Sequence, residues 1–453
     1  MGELDKYIDI TEKADTIKYV GRIVRVNGLL IEAKGPHAVV GEVCRIETAS
    51  GNVLAEVVGL NREIVQLMPY AETSGLEVGN RVVASGSRLE VPVSNELLGK
   101  LLDFQGKLWG GGEIDSNESY LAQGPAPDPD TRPRIKEHIV TGVRAIDSLL
   151  TVGKGQRIGI FAGSGVGKST LIGMIARNTN ADVNVVALIG ERGREVNDFI
   201  EKDLGPEGFK HSVVVATPSN APPLARIRGA YTATAIAEYF RDQGKDVMLL
   251  FDSVTRFALA QREIGLAIGE PPATRGYTPS VFDNLPKLLE RSGTSPKGSI
   301  TAFYAVLVEG DDTDEPISDT VRGILDGHFI LSRNLAKANH YPAIDVLPSI
   351  SRLMPEVTGR QTRKAAGEMR RLISVYSDAE DIINIGAYQD GSNPDIDLAK
   401  RKHKDIEEFL KQEIEEKASY YTTMKKMASI SGIDIPDEEI TNTEVNISET
   451  VSV

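Results

Sequence analysis

The sequence predicts an α/β core that is preceded by an antiparallel β-barrel and followed by an α-helical region. Three observations favour this fold class. Short β-rich runs separated by turn residues fill the amino-terminal part, strands alternate with longer helical stretches in the middle, and apolar residues recur at helical spacing after residue 352. The 453 residues are enough for several such units at about 150 residues per domain.

Composition and charge exclude several classes of protein. The chain is 41% hydrophobic and 26% charged, close to an ordinary soluble protein, and no run of roughly eighteen apolar residues predicts a membrane span. Residues 1–15 lack the pattern of a secretory signal, and Cys44 is the only cysteine, so the sequence favours the cytosol without disulfides. With 51 basic and 65 acidic residues the net charge is −14, which argues against non-specific binding of nucleic acid.

The first predicted units are a short helix and a barrel. Residues 1–20 form either an amphipathic helix or a frayed terminus, because Leu4, Tyr7, Ile8 and Thr11 fall at helical spacing. The barrel is predicted over residues 21–95, where turn residues separate β-rich runs at 21–26, 39–46, 53–58, 63–67 and 81–84.

The α/β core is predicted over residues 96–348 and includes a proline-rich linker at 120–139. Two of its runs, 185–189 and 247–251, are continuously apolar rather than alternating. Parallel strands that are covered on both faces have this pattern. We expect the core strands at residues 157–162, 184–189, 212–216, 246–251 and 299–306.

The rest of the chain divides into a helical unit, residues 349–430, and an acidic tail, residues 431–453. Apolar residues recur at helical spacing in two stretches of the helical unit: Met369, Leu372, Ile373 and Tyr376, then Ile406, Phe409, Leu410 and Ile414. Beyond Lys426 there is no Lys or Arg, and the acidic, polar composition predicts disorder.

The strongest motif is AGSGVGKS at residues 162–169, between a predicted strand and a predicted helix. Its glycines let backbone amides point at one phosphate chain, and the helix amino terminus adds positive potential. The lysine can reach the β and γ phosphates, and the hydroxyl after it can bind Mg²⁺. The motif therefore predicts a nucleotide-binding loop, although it begins with alanine rather than glycine, formed by Gly163, Ser164, Gly165, Val166, Gly167, Lys168, Ser169 and Thr170.

Two further strands end in carboxylates. The strand VMLLFD ends in Asp252, which is expected to hold Mg²⁺ from the strand tip. Glu191 follows the strand at 184–189, and parallel sheets bind ligands at the carboxyl ends of their strands. A carboxylate there can orient and deprotonate water, whereas the alternative is a solvated charge cluster at a helix start. Arg352, in SISR, is by spacing alone more typical of a salt bridge between domains.

These four elements together resemble the RecA-like ATPases of rotary ATP synthases and of type III export, over residues 20–430. The stretches TGVRAID at 141–147, FDSVTR at 251–256 and GEPPATRGYTPSVF at 269–282 carry the resemblance. Tyr388, with GSNP at 391–394 and Asp397, is similar to the export branch, and most similar to the flagellar export ATPase family. The acidic stalk-contact motif of the synthase subunits is not evident here.

The resemblance implies a homohexamer with ATP and Mg²⁺ bound between subunits. It implies that Glu191 is the catalytic carboxylate, Arg192 the neighbouring active-site arginine, and Arg352 an arginine finger that acts on the next subunit's ATP. Tyr420 occupies a place where an aromatic ring faces adenine in the family, with a core tyrosine as the alternative. The function implied is ATP hydrolysis that energises flagellar protein export through release and unfolding of substrates.

The resemblance also implies partners and a location. The amino-terminal helix matches the place where the family binds a stalk-like regulator, and the acidic loop at 311–316 is similar to one that touches a central stalk in the hexamer pore. An EF-hand reading of that loop fails, since the glycine and the distal glutamate are missing. Export-gate and substrate–chaperone contacts, peripheral association with the inner face of the cell membrane, and no nucleic acid are expected.

Three alternative functions remain open at this point. An injectisome secretion ATPase has the same chemistry and differs only in its partners. A non-catalytic subunit of a rotary complex would lack the carboxylate that Glu191 supplies. An RNA translocase of the termination-factor type shares the core, but the acidic balance and the barrel's poverty in aromatic residues argue against it.

Overall fold

The computed structural model describes residues 19–112, 114–308 and 315–441. Nearly all of the predicted amino-terminal helix, most of the acidic loop at 311–316 and the end of the predicted tail lie outside these ranges. None of the helices within them combines the length and the apolarity needed to cross a bilayer.

The amino-terminal unit is a closed antiparallel barrel, as predicted. Its strand order is β1-β2-β5-β4-β3-β6, and alternate side chains fill its interior. Strand β2 was not among the predicted strands, and the third strand begins later than predicted because the left-handed turn at Gly41 delays its start. The strands are Val20–Asn27 (β1), Leu30–Lys34 (β2), Glu42–Thr48 (β3), Gly51–Asn61 (β4), Ile64–Pro69 (β5) and Arg81–Arg88 (β6).

A large, mostly parallel sheet forms the core, in the order β19-β18-β12-β17-β15-β13-β14-β8. Every predicted core strand is present, and β13 is buried along its whole length. The remaining strands are Glu90–Val93 (β7), Lys100–Leu102 (β8), Glu118–Leu121 (β9), His138–Ile139 (β10), Val152–Gly153 (β11), Arg157–Ala162 (β12), Val183–Ile189 (β13), Ser212–Thr217 (β14), Asp246–Asp252 (β15), Gly293–Thr294 (β16), Ser299–Leu307 (β17), Gly327–Leu331 (β18) and Ile344–Ser351 (β19).

Helices cover both faces of this sheet, which explains its continuously apolar strands. One core layer packs α5, α6 and α7 on the sheet, and the other packs α1, α2 and the carboxyl-terminal helices. The helices are Arg144–Leu149 (α1), Lys168–Asn178 (α2), Gly193–Asp198 (α3), Gly205–Lys210 (α4), Pro223–Asp242 (α5), Val254–Ala267 (α6), Pro279–Leu289 (α7), Pro316–Ile324 (α8), Arg333–Lys337 (α9), Met354–Val357 (α10), Arg360–Asn384 (α11), Pro394–Leu410 (α12), Tyr420–Ser431 (α13) and Asp437–Thr441 (α14).

The predicted helical unit is present, but its second helix is shorter than the apolar spacing indicates. Helix α12 ends at Leu410, and Ile414 lies beyond it in the connection to α13. Arg144 binds the last carbonyls of α12: its Nε donates to Phe409 O at 2.8 Å, and its Nη2 donates to Lys411 O. These carbonyls are satisfied by Arg144 rather than by another helical turn.

The prediction that the acidic tail is disordered from residue 431 is wrong for its first part. Gly432 ends α13 in the left-handed conformation and turns the chain back, and α14 follows. Ile435 and Ile440 are both fully buried. The acidic composition predicted disorder, but the burial of these two isoleucines favours an ordered segment.

A buried ion pair joins the barrel to the core. Arg228 on α5 is 8% exposed and binds the Glu56 carboxylate of β4 through Nε at 2.7 Å and through Nη2. Tyr70 donates a third hydrogen bond to Glu56 at 2.6 Å, and Gln123 accepts one from Arg228 at 2.8 Å. The carboxylate and the guanidinium therefore satisfy each other away from water.

We expect Glu56→Ala to destabilise the protein by about 3–5 kcal/mol, because it leaves Arg228 buried without its partner. Glu63→Ala removes a glutamate whose side chain is 78% exposed, and should change stability little. The midpoints of urea unfolding of the two variants measure the difference. Equal midpoints would show that the buried pair does not secure the barrel.

Candidate active site

The loop between β12 and α2 has the shape that its glycines predict. Gly165 and Gly167 have φ values of 78° and 90°, a conformation that L side chains rarely adopt. Val166 between them is 2% exposed and anchors the loop in the core. Leu171 N bonds to Gly167 O at 2.9 Å, so the amides at the start of α2 keep no partner within the helix. Such amides bind anions.

The side chains at the start of α2 differ in direction. Lys168 turns inward, with its side chain 10% exposed, and contacts the carboxylate of Asp252. Ser169 is exposed, which leaves its hydroxyl accessible to a ligand. Thr170 lies close to the Asp203 carboxyl, and its backbone amide is one of those at the start of α2.

The sheet register brings the two predicted carboxylates together. Leu188 of β13 lies opposite Asp252 of β15, and Glu191 follows three residues later. Glu191 is fixed by its own backbone, since Ser219 N donates to its carbonyl at 2.9 Å. Lys168 Nζ lies 3.8 Å from Glu191 Oε1 and also contacts Asp252. The structure therefore brings Lys168, Glu191 and Asp252 into one cluster.

Arg256 joins this cluster, although no sequence motif predicted a role for it. Its Nη1 lies 2.7 Å from Glu191 Oε2 and also donates to the carbonyl of Gly190. A Cβ at Gly190 would lie 2.9 Å from Arg256 Cδ, so glycine leaves the room that the arginine needs. Arg256 lies within the FDSVTR stretch, and only the fold shows that it faces Glu191.

The pKa of Glu191 is raised to about 7. Burial is the main cause, and the negative charge of Asp252 and a hydrogen bond with Glu195 act in the same direction. Lys168 and Arg256 oppose the rise but do not cancel it. A carboxylate with a pKa near neutrality is suited to accept a proton from water.

Arg192 does not join the cluster. Its side chain is 80% exposed, and its Nη1 pairs with Glu195 Oε1 at 3.3 Å. Arg256, rather than Arg192, is the arginine that contacts Glu191 within this chain. Arg192 is left on the surface, where another molecule can reach it.

Arg352 lies at the opposite edge of the sheet from the phosphate loop. Strand β18 runs parallel to β12, and β19 returns antiparallel, so Ser351 lies opposite Gly327 at the start of β18. The length of β12 separates the two edges by about 17 Å, which is longer than an arginine side chain. The Arg352 side chain is exposed and makes no salt bridge within the described part of the chain.

Tyr420 is a core residue in this structure. It is 4% exposed, and its ring stacks on His138 with centroids 4.5 Å apart. Burial raises the pKa of its hydroxyl. The expectation that Tyr420 faces adenine is therefore replaced by its alternative, a tyrosine that packs the helical unit against the core.

Tyr341 is an aromatic residue that sequence reasoning missed. It is 39% exposed, and a Cβ at Gly167 would lie 3.3 Å from its Cε1. Gln412 N donates to Tyr341 O at 2.9 Å, which brings the connection containing Ile414 close by. Ile414 is 41% exposed, and Arg177 of α2 donates to its carbonyl at 2.6 Å. No local motif joins Tyr341 to the phosphate loop, so only the fold reveals that its ring lies beside Gly167.

The donor groups fit ATP with Mg²⁺. The Ser169 hydroxyl and the Asp252 carboxylate offer hard oxygen ligands, which Mg²⁺ prefers. Within the described ranges, no group of three or more His, Cys, Asp or Glu side chains could hold a metal ion by itself. Mg²⁺ sites that use one or two protein oxygens are completed by phosphates and water.

Three family models match the chain in the order of its units. The beta-barrel domain of the ATP synthase alpha/beta family matches residues 23–86, and the nucleotide-binding domain of that family matches residues 142–351. The T3SS EscN ATPase C-terminal domain matches residues 358–429. The matches agree with the barrel, the parallel sheet and the helical unit.

Curated relatives match along nearly the whole chain. The flagellum-specific ATP synthase of Treponema pallidum is 57% identical over 95% of this chain and 97% of its own. The type 3 secretion system ATPase of Xanthomonas euvesicatoria is 49% identical over 91% and 94%.

The fold is similar to two solved structures of the assembled ATPase EscN from the enteropathogenic E. coli type III secretion system. In one of them, EscN is in complex with its central stalk EscO. Both are 45% identical and cover 91% of this chain and 100% of their own, with TM-scores of 0.87 and 0.85. The fold and the site thus define a P-loop ATPase. The chain belongs to the ATP synthase alpha/beta family, among the flagellum-specific and type 3 secretion ATPases.

The raised pKa of Glu191 makes a prediction about pH. A protonated Glu191 cannot accept a proton, so kcat/KM for ATP should fall about tenfold per pH unit below about 7 and level off above it. Arg256→Gln removes a positive charge that favours the carboxylate, and should move the break to higher pH. Initial rates at saturating Mg²⁺ measure both profiles. A break near 4.3, the ordinary pKa of glutamate, would contradict the assignment.

Proposed function

We propose that the chain forms a homohexamer that hydrolyses MgATP and energises flagellar type III protein export by releasing and unfolding its substrates. The observation that carries the proposal is the pairing of a buried catalytic cluster with an arginine on the far edge of the same sheet. Within one subunit, Arg352 then cannot reach the nucleotide bound at the phosphate loop of the same chain. Assembly in a ring brings Arg352 to the phosphate loop of the neighbouring subunit.

The residues of one subunit have distinct roles in hydrolysis. The amides at residues 168–170 and the Lys168 ammonium bind the phosphates, and the ammonium leaves Asp252 for them. Glu191 orients the attacking water and accepts its proton, while Arg256 fixes the direction of the Glu191 carboxylate. Ser169 and Asp252 would hold Mg²⁺, which supplies positive charge against the phosphate oxygens when it is bound.

Tyr341 and Ile414 are the residues that we assign to the adenine ring. Both are partly exposed and apolar, and the Tyr341 ring lies over Gly167 of the phosphate loop. A planar base can stack on an aromatic ring, and an aliphatic side chain can cover its other face.

Arg352 completes the site of the neighbouring subunit. Its exposure and its position at the far edge of the sheet support this role. A guanidinium beside the transferring phosphoryl group stabilises the charge of the transition state. Arg192, which is also exposed, is then free to reach the same nucleotide or the neighbouring subunit.

The assembled EscN structures support the homohexamer, and the complex with EscO supports a central-stalk partner for this chain. We further propose a stalk-like regulator at the amino terminus, contacts with the export gate and with substrate–chaperone complexes, and no nucleic acid. The protein is then cytoplasmic and peripheral to the inner face of the cell membrane.

Flagellar export is preferred to injectisome secretion by sequence identity. The flagellum-specific enzymes of Treponema pallidum and Bacillus subtilis are 57% and 54% identical to the chain, whereas the type 3 secretion ATPase of Xanthomonas euvesicatoria is 49% identical, a value that the flagellum-specific enzyme of Pseudomonas aeruginosa shares. A non-catalytic subunit is disfavoured because Glu191 is present and lies beside Lys168. An RNA translocase would show faster ATP turnover when RNA is added.

Glu191→Gln should abolish ATP turnover while nucleotide binding is retained. The amide fills the same volume but cannot accept a proton from water. Glu201→Gln, at an exposed glutamate ten residues further along the chain, is the control and should retain normal activity. Phosphate release and binding of a fluorescent ATP analogue give the two measurements. Substantial hydrolysis by the glutamine variant would refute the role of Glu191.

Arg352→Ala should lower kcat by about 10³–10⁵-fold if the residue is a finger, whereas Arg401→Ala, at another exposed arginine, should have no effect. Mixing Arg352→Ala with Glu191→Gln should restore activity, because sites with Glu191 from one variant then meet Arg352 from the other. An inactive mixture, or a loss below tenfold in the single variant, would contradict the finger in trans.

A further inference from the structure

The helix that follows Arg352 begins without a cap of its own. Helix α11 has 25 residues, Gly359 at its N-cap makes no side-chain hydrogen bond, and its first turn contains no acidic residue. Arg360 and Arg363 lie near this end instead, where the helix dipole is already positive. The amino terminus of α11 therefore needs an anion from elsewhere in the chain.

Glu439 supplies this anion from α14. Its Oε2 accepts from Thr362 N and Thr362 Oγ1, both at 2.9 Å, and from Gln361 N at 3.1 Å. A Cβ at Gly359 would lie 2.1 Å from the Glu439 carboxyl carbon, so glycine makes the space for it. Burial favours the neutral acid, but these donors outweigh it and keep the pKa of Glu439 below its usual value.

Other contacts hold α14 in place independently of Glu439. Ile435 and Ile440 are fully buried, and Lys425 Nζ of α13 pairs with Asp437 Oδ1 at 2.6 Å. Tyr421 also donates to Asp437, at 3.3 Å. The residues 435–441, which we call the C-terminal latch, therefore remain anchored when the Glu439 side chain is changed.

The capped end of α11 holds the chain that carries Arg352. Arg363 Nη1 donates to Pro355 O at 2.6 Å and to Thr358 O at 2.7 Å, so it clasps the connection from Arg352 to α11. On its other side, Arg352 N is bonded to Asp326 O at 3.0 Å. Loosening the first turn of α11 would release the Arg363 clasp and remove two of the hydrogen bonds that hold the connection after Arg352, which the buried Val357 and the bond from Thr358 Oγ1 to Met354 O also support.

We propose that Glu439 of the C-terminal latch is a positioning residue for Arg352, acting through the capped first turn of α11 and the Arg363 clasp. The proposal rests on the role of Arg352 in the neighbouring subunit's site. The latch lies beyond residue 429, where the match to the carboxyl-terminal family model ends.

The test compares Glu439→Ala with Glu438→Ala, its exposed neighbour on the same short helix. Glu439→Ala should lower kcat about tenfold to a hundredfold, as a displacement of about 1 Å does at a catalytic group. KM and the affinity for a fluorescent ATP analogue should stay unchanged, because Glu439 lies far from the phosphate loop of its own subunit. Glu439→Gln, which keeps one acceptor oxygen, should recover part of the rate.

Mixed hexamers distinguish the positioning role from a general loss of stability, because the substitution can be placed in either kind of subunit. In the mixture of Glu191→Gln and Arg352→Ala subunits, the former donate the finger and the latter donate the site. Adding Glu439→Ala to the finger donors should remove most of the restored activity, and adding it to the site donors should not.

Each outcome bears on a separate claim. The positioning role would be overturned if Glu439→Ala lowered the restored activity equally in the finger donors and in the site donors. It would also be overturned if Glu439→Ala and Glu438→Ala had the same kcat. Neither result would contradict the role of Arg352 as a finger. An inactive parent mixture would overturn the finger in trans, and the positioning role with it. Sizing each variant beside its activity confirms that the hexamer still forms.

Discussion

The direction of the strands in one sheet determines where the catalytic groups lie. Strands β12, β13 and β15 are parallel neighbours or near neighbours, so the phosphate loop, Glu191 and Asp252 all follow carboxyl ends at one edge. Strand β19 is antiparallel, and it returns the chain to the other edge at Arg352. The same sheet that assembles the phosphate site thus separates it from Arg352, the proposed finger. A ring of identical subunits is the simplest arrangement that joins the two again.

In the cluster beside the phosphate loop, the positive charges of Lys168 and Arg256 offset the cost of burying two carboxylates. Glu191 and Asp252 are both nearly buried, and two adjacent carboxylates repel each other. Lys168 contacts both, and Arg256 contacts Glu191 alone. When Lys168 turns to a bound phosphate, Arg256 remains as the cation that keeps Glu191 in place. If Glu191 is the base, as proposed, Arg256 positions it and Lys168 is left to bind the phosphates.

Local patterns predicted the parts of the site that local chemistry determines. Asp252 ends a strand, the phosphate loop and Glu191 each follow one, and the strands were recognisable from their apolar runs. Tyr341 and Arg256 were missed because each acts through a tertiary contact with a distant glycine, Gly167 or Gly190. Tyr420 and the latch show the opposite error: an aromatic residue was assigned to a ligand and an acidic segment to solvent, although buried contacts hold both.

The helical unit touches the catalytic apparatus at both edges of the sheet. At one edge, Gln412 donates from its backbone to Tyr341 and from its side chain to Gly142 O at 2.8 Å. At the other edge, Glu439 and Arg363 hold the connection after Arg352. With the roles proposed above, a shift of this unit relative to the sheet would move the Tyr341 surface and the connection after Arg352 together. Two sites separated by a sheet can be coupled in this way without any movement of the sheet itself.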